Sequence, residues 1–235
     1  MIDKEHHLNK AELISAIAEE SELSKAKAEF ALNSVMDNIK KAVTKGDNVI
    51  GQISKVGSDD VLYQVVKGET INSKGESVEA DEAKLSIFKE YKKPAAERTL
   101  PVYVVGKKDN PSEVESFVLP TYGNGLWDNI WAYVAIDGDA ETIEGIVFDH
   151  KGETPGLGAR ITDAEIQERF VGKKLAYEAS SINAPDFQKG EGNNFDNEPQ
   201  KVDGMSGATI TGTGVNAMLD AYMTLYQPYL VTKKK

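Results

Sequence analysis

Four hydroxyl side chains, Ser206, Thr209, Thr211 and Thr213, stand close together near the end of the chain. The first three lie in Asp203-Gly-Met-Ser-Gly-Ala-Thr-Ile-Thr211, directly before a segment with helical periodicity. A Gly- and Thr-rich run that feeds a helix N-terminus offers unpaired N–H groups and a favourable dipole, which suits a phosphate. No Gly-Lys-Thr/Ser follows, so this is not a Walker loop, and the strand-then-helix context of a dinucleotide fingerprint is missing. The same residues would also serve as a plain turn and helix cap.

Two further clusters set glycines beside residues with chemistry: Tyr122-Gly-Asn-Gly-Leu-Trp127 and His150-Lys-Gly-Glu-Thr-Pro-Gly-Leu-Gly158. Glycine lets backbone approach a ligand or another chain segment closely. Trp127 and Trp131 are four apart beside a strand and are expected to pack in the core, with stacking on a flat ring as the alternative. His150 has no metal-ligand spacing around it and is expected on the surface or as a cap. Glu153 would either cap a turn or accept a hydrogen bond from a ligand N–H. No residues are singled out for metal binding.

The run Asp203-Gly-Met-Ser-Gly-Ala-Thr209 resembles the flavinylation motif of bacterial covalent-FMN proteins. In that family a flavin transferase joins FMN through its phosphate to the Thr of Ser-Gly-Ala-Thr. Glu153-Thr-Pro-Gly-Leu-Gly158 and Gly125-Leu-Trp127 match in order and spacing, so about residues 60–230 resemble the C subunit of the Na⁺-translocating NADH:quinone reductase. The G subunit of the Rnf electron-transport complex shares the Thr motif. The resemblance implies FMN esterified to Thr209, with Ser206, Gly207, Ala208 and Thr211 around the phosphate. It places Gly125, Leu126, Trp127, Glu153, Thr154 and Leu157 at the ring. It further implies an electron carrier that is not catalytic alone and passes electrons between the other membrane subunits of a sodium-translocating oxidoreductase.

The elements that must position these residues can be read from periodicity. Residues 8–46 read as a helical hairpin. Asn9 with Glu12 opens the first helix and Ser24, with Leu23 as staple, the second; Ala28, Ala31, Val35, Ile39 and Val43 repeat along one face before Gly46. Strands are expected at Val61–Val66, Pro101–Gly106, Val114–Leu119, Ile130–Ile136 and Ile143–Phe148. Turns are expected at residues 106–112 and at Asp137-Gly138-Asp139. Thr162 with Glu165 should open a short helix that runs to Phe170 and stops at Gly172. Asn183 to Gln200 reads as a long mobile loop, and Gly212 and Gly214 as a loose link to a last helix that carries Val215, Met218, Leu219, Tyr222 and Met223 on one face. The expected class is α+β: an FMN-binding domain of mainly antiparallel strands with peripheral helices (51–235), preceded by the helical hairpin (1–50).

Composition sets the outer limits. The chain has 235 residues, 40% of them hydrophobic, no cysteine and a formal net charge of −11. Disulfides, thiolate-held clusters and thiol catalysis are excluded, and bulk-charge binding to nucleic acid or anionic lipid is disfavoured. The longest stretch without Asp, Glu, Lys or Arg, Gly204 to Leu219, is too short and glycine-rich to span a bilayer. The start lacks the apolar core of a secretory signal. The chain therefore reads as soluble, whereas the family carries a membrane helix that holds its FMN domain on the extracytoplasmic side of the inner membrane. In place of that helix, Leu8–Val49 resembles the first two helices of HU-type nucleoid proteins, read here as a self-association element without the DNA-binding arms. An architectural or dimerisation protein is the competing reading.

Overall fold

The structure is a computed structural model that describes residues 66–80, 85–107, 110 and 112–234. From residue 67 onward they belong to one compact unit, Lys67–Lys235. The helical hairpin expected over 8–46, the boundary at residue 50 and the strand positions before Val66 lie outside the described residues.

Five strands follow one another as a meander: β1 (Val66–Asn72), β2 (Thr99–Gly106), β3 (Val114–Asn124), β4 (Asn129–Asp137) and β5 (Ile143–His150), side by side in that order. Each of the expected strands β2 to β5 is present, and β3 runs five residues further than Leu119, carrying Gly123 and Asn124 to the sheet's end. The turn at Asp137–Asp139 forms because Asp139 accepts hydrogen bonds from the N–H groups of Glu141 and Thr142 and from the Thr142 hydroxyl. α1 (Ile87–Tyr91) lays Phe88 and Tyr91 against Tyr122 of β3.

Alternation decides which face is buried. Phe117, Leu119 and Thr121 of β3 pair with Ile136, Val134 and Ala132 of β4, which in turn face Ile143, Ile146 and Phe148 of β5, and all are buried. The long helix α3 (Thr209–Val231) covers this face. Its Met218 sits on Gly123 and its Tyr229 meets Phe117 edge-on at 6.0 Å, so the helix runs antiparallel to β3. Tyr226 repairs a gap in the sheet. The β2–β3 register brings Pro101 opposite Pro120, neither of which has an N–H to donate. The buried Tyr226 hydroxyl lies 3.0 Å and 2.9 Å from their carbonyls and supplies the missing donor.

After β5 the chain makes a 3₁₀ turn (Gly158–Thr162), the short helix α2 (Ala164–Glu168), a hairpin of β6 (Ala176–Tyr177) and β7 (Ile182–Asn183), and a parallel pair of β8 (Asp186–Phe187) and β9 (Lys201–Val202). Three expectations are corrected here. Thr162 does not cap α2; its hydroxyl bonds the Ala159 carbonyl, and Asp163 occupies the cap position. Asn183–Gln200 is not a featureless loop, because it contains β8 and is tied to α3, whose Asn216 bonds both the N–H and the carbonyl of Phe187 while Asp220 accepts from the Ala184 N–H. Gly212 and Gly214 do not link the motif to the helix; α3 begins at Thr209, and both glycines lie inside it. Phe148, Phe170 and Phe187 stack edge-on at 5.4 Å and 4.9 Å, fastening β8 to β5.

One carboxylate in this region is poorly satisfied. Asp186 Oδ1 is buried without a hydrogen-bond partner. Burial first, and the Asp220 charge second, push its carboxyl above the usual range. A raised value in the folded state means that the favourable neutral form is fully present below the unfolded-chain value of 3.8 and is lost as pH rises through the folded value. Asp186→Asn is expected to stabilise the protein at pH 7 by about 1 kcal/mol, with the gain shrinking as pH falls toward 3; denaturant melts at both pH values check this.

Candidate functional site

The three glycine clusters meet at one buried side chain, Glu153. β5 ends at His150, whose Nδ1 accepts the Glu153 N–H at 3.2 Å and turns the chain inward, so His150 is a cap. Glu153 is 4% exposed. Its Oε1 accepts the N–H groups of Trp127 (2.8 Å) and Asp128 (3.4 Å), closing the turn after β3. Its Oε2 accepts the Thr211 hydroxyl at 2.6 Å, reaching the first turn of α3. Close approach explains the neighbouring glycines: a Cβ on Gly125 would lie 2.6 Å from Oε1, and one on Gly158 would collide with both Oε2 and the Thr211 hydroxyl. Gly214 likewise lets the helix touch the Asn124 carbonyl.

Burial pushes the Glu153 carboxyl up, but the Thr211 hydroxyl and the N–H groups of Trp127, Asp128 and Leu126 outweigh it and hold the group below the usual range. It is therefore ionised at neutral pH and stands where the α3 dipole favours a negative charge.

A second carboxylate secures the other side of the motif. Glu191 receives the forked guanidinium of Arg160 at 3.0 Å and 2.6 Å, Arg169 at 3.1 Å and the Ser206 N–H at 2.9 Å. The Arg160 bonds, then the Ser206 N–H, hold its carboxyl far below the usual range. Arg169 also donates to the Gly204 carbonyl, and Asp203 accepts the N–H groups of Gly192 and Asn193.

What this frame presents is an exposed motif. Gly207 takes φ +77, and Leu157 packs so close that a Cβ there would stand 2.7 Å from Leu157 Cδ2. Ala208 is the N-cap and has no side chain that can cap. Thr209 follows as the first helical residue and is exposed, as are Ser206 and Gly207. The first N–H groups of the helix lack intrahelical acceptors. Nearby Leu126 and Leu157 are each 43% exposed, Ile210 60% and Trp127 69%, so Trp127 is not core, as its spacing from Trp131 suggested. Thr154 is exposed, and its carbonyl accepts the N–H groups of Leu157 and Ala159. Beside Thr209 opens a pocket of about 130 Å³ lined by Phe187, Gln188, Lys189, Gly204, Met205, Ala208, Gly212 and Thr213 as well.

The residues singled out from sequence thus converge, in two roles. Gly125, Glu153 and Thr211 are spent on one another and hold the frame. Leu126, Trp127, Thr154, Leu157, Ser206, Gly207 and Thr209 are exposed, with Leu157 against Gly207 and Ala208 buried. Ile210 and Lys189 carry no signal of this role in the sequence, because Ile210 precedes the expected helix and residues 187–189 fall within the expected loop. The motif thus combines an uncapped helix start, an exposed hydroxyl on its first turn and exposed apolar side chains in the neighbouring segments. Among the described residues no group of three or more His, Asp or Glu is arranged to hold a metal, and no helix is long and apolar enough to cross a membrane.

Comparison with known proteins agrees with this geometry. Residues 125–224 match the FMN-binding domain family. That span holds all three clusters from Gly125 onward. The chain is 44% identical over 115 residues to the C subunit of the Na⁺-translocating NADH-quinone reductase of Haemophilus ducreyi, an alignment that covers 49% of this chain and 42% of the relative. It is 38% identical over 122 residues to the same protein of Vibrio campbellii, covering 52% and 44%. The chain thus spans less than half the length of these curated relatives. The crystal structure of the corresponding protein from Parabacteroides distasonis aligns with a TM-score of 0.57 at 28% identity, covering 83% of this chain and 95% of that one. Shewanella oneidensis NqrC aligns at 0.61 and 27% identity, covering 72% and 84%. The resemblance to the C subunit of the reductase therefore holds in sequence and in fold. Residues 8–93 match the bacterial DNA-binding protein family, a match that runs well past Val49, where the resemblance to the two HU-type helices stops.

Glu153→Gln is expected to destabilise the domain by about 1–3 kcal/mol, since the amide cannot accept from Trp127, Asp128 and Thr211 together. The stabilising effect of the wild-type carboxylate is complete above the unfolded-chain value of 4.5 and is lost as pH falls through the lower folded value. The acid limb of a stability–pH profile should therefore flatten in the variant.

Proposed function

We propose that this chain is an FMN-carrying electron-transfer protein with the flavin esterified through its phosphate to Thr209. The observation that carries the reading is the exposure of Thr209 on the first turn of an uncapped helix beside the apolar group Leu126, Trp127, Leu157 and Ile210. When bound, FMN supplies one- and two-electron redox chemistry, which is the cofactor's own. The chain's part is to hold it. Small residues at Gly207 and Ala208 leave the Thr209 hydroxyl open to a flavin transferase. The helix dipole favours the charge that remains on the ester. Trp127 and Leu157 shield one part of the ring from water and so bias its potential. Thr211 is not a rival attachment point, because its hydroxyl is buried and bonded to Glu153.

The partners in this reading are the membrane subunits of a sodium-translocating NADH:quinone oxidoreductase, at the extracytoplasmic side of the inner membrane, and the transferase that loads the flavin. A Rnf-type complex is the alternative assembly. The match of residues 8–93 to bacterial DNA-binding proteins favours a separate role for the start of the chain. We read residues 8–46 as an element that self-associates or docks on the FMN domain; loss of an oligomer, or a lower melting temperature, after removal of residues 1–50 supports it, two monomers of equal melting temperature overturn it, and a salt-sensitive gel shift with duplex DNA favours nucleic-acid binding instead.

Co-expression with a flavin transferase tests the central reading. Intact mass is expected to rise by one FMN less one water, peptide mapping to place it on Thr209, and Thr209→Ala to remove it while the thermal midpoint stays unchanged. FMN on Ser206 overturns the assignment, and an unmodified chain beside an active transferase overturns the covalent reading. In the loaded protein, Trp127→Ala is expected to shift the flavin's midpoint potential without lowering occupancy.

A further inference from the structure

Thr209 stands between two unlike surfaces. Helical spacing separates them: Thr209, Gly212 and Thr213 share one face of α3, while Ile210 and Gly214 share the next, toward Asn124 and Gly125. The second face meets Gly125, the residue that precedes the exposed Leu126 and Trp127. The first lines the 130 Å³ pocket together with Phe187, Gln188 and Lys189. Pockets that bury a whole small molecule measure about 300–1,000 Å³. A space of 130 Å³ fits a phosphate and the first carbons of a sugar alcohol, not a three-ring flavin.

The walls of this pocket are held in place. The Gln188 N–H bonds the Val202 carbonyl at 2.8 Å, and its side-chain amide donates to the Asp186 carbonyl. Phe187 lies 3.6 Å from the Cβ position of Gly212, an ordinary contact, and Gly204 allows the motif to pass against the carbonyls of Gln188 and Gly190. Apart from Asp186, whose Oδ1 is buried without a partner, the charges nearby are committed except for Lys189. Glu191 is neutralised by Arg160 and Arg169, Asp203 pairs with Arg169, and Lys201 pairs with Glu198. Lys189 is exposed and has no ion pair or hydrogen bond among the described residues. On a chain of net charge −11, this is an unspent cation lining a pocket of mixed polar and apolar surface that Thr209 also lines.

We infer that this pocket is the anion subsite for the flavin's phosphate, with Lys189 as the counter-charge that draws the phosphate to Thr209 before attachment and screens the ester afterwards. The inference rests on the flavin reading above and adds a residue and a direction to it: phosphate toward Lys189, ring toward Trp127. It makes recognition of the phosphate separable from recognition of the ring.

The test uses the full chain made without a flavin transferase, titrated with FMN and with riboflavin, which has the same ring and no phosphate, by quenching of flavin fluorescence. FMN is expected to bind about fivefold more tightly than riboflavin, with a preference that falls as salt rises. Lys189→Gln should erase that preference while leaving riboflavin binding unchanged, and Lys189→Arg should restore most of it. Equal affinity for the two flavins, or a preference that survives Lys189→Gln, overturns the subsite. Failure of both flavins to bind also overturns the subsite, while the flavin reading beneath it stands or falls separately on the mass found after co-expression with the transferase.

Discussion

The hydrogen bond between the Thr211 hydroxyl and the buried Glu153 carboxylate is the contact on which the rest of the site depends. It joins the turn after β3, the segment after β5 and the first turn of α3 through one side chain. A buried carboxylate is costly unless its lone pairs are used, and this one accepts two backbone N–H groups and a hydroxyl. Removing any donor leaves a charge in a place where water cannot replace it. The glycines at 125, 158 and 214 follow from the same constraint, since a side chain at any of them would push the three segments apart.

The helix that receives this bond also organises the body of the domain. One face of α3 buries Val215, Met218, Leu219, Tyr222 and Tyr226 against the sheet. Tyr226 supplies a donor to two facing prolines that the β2–β3 ladder cannot satisfy. Its flank carries Asn216, Asp220 and Gln227, which bond the backbone of residues 178–187 as an adjacent strand would. The start of the helix is thus held from both sides, by Glu153 beneath and by the Glu191–Arg160–Arg169 network beside it. That rigidity lets Ala208, a poor cap, occupy the N-cap and leaves Thr209 exposed on an ordered turn.

Charge is spent in a consistent pattern around the motif. Glu191 and Asp203 are paired with Arg160 and Arg169, which weakens their repulsion toward an incoming anion, and the Glu153 carboxylate is turned inward onto donors of the protein. The exposed side chains beside Thr209 are apolar, and an exposed group of that kind marks a surface with a function. A phosphate-bearing aromatic ligand meets both conditions.

Much of this was legible in the sequence. β2 to β5 showed as runs of Val, Ile, Tyr and Phe because a half-buried antiparallel sheet demands them, and the helical face of Val215 to Met223 showed by its period. The three glycine clusters were recognisable as a set, and the Ser-Gly-Ala-Thr run pointed to Thr209. What those glycines touch was not legible, because close approach is a relation between segments far apart in the chain. Glu153 had two readings from sequence, a turn cap or a ligand contact, and only the fold brought Trp127 and Thr211 to it. Trp127 read as core because four-residue spacing to Trp131 says nothing about where a strand ends; β4 starts at Asn129, leaving Trp127 in the exposed turn before it. Residues 183–200 read as loose because their partners, Asn216 and Asp220, lie on a helix whose position no local pattern reports. Sequence determined which residues could do chemistry, since residue type and local period are properties of the chain; tertiary structure decided which of them face solvent and which are spent on one another, because burial is set by what packs opposite.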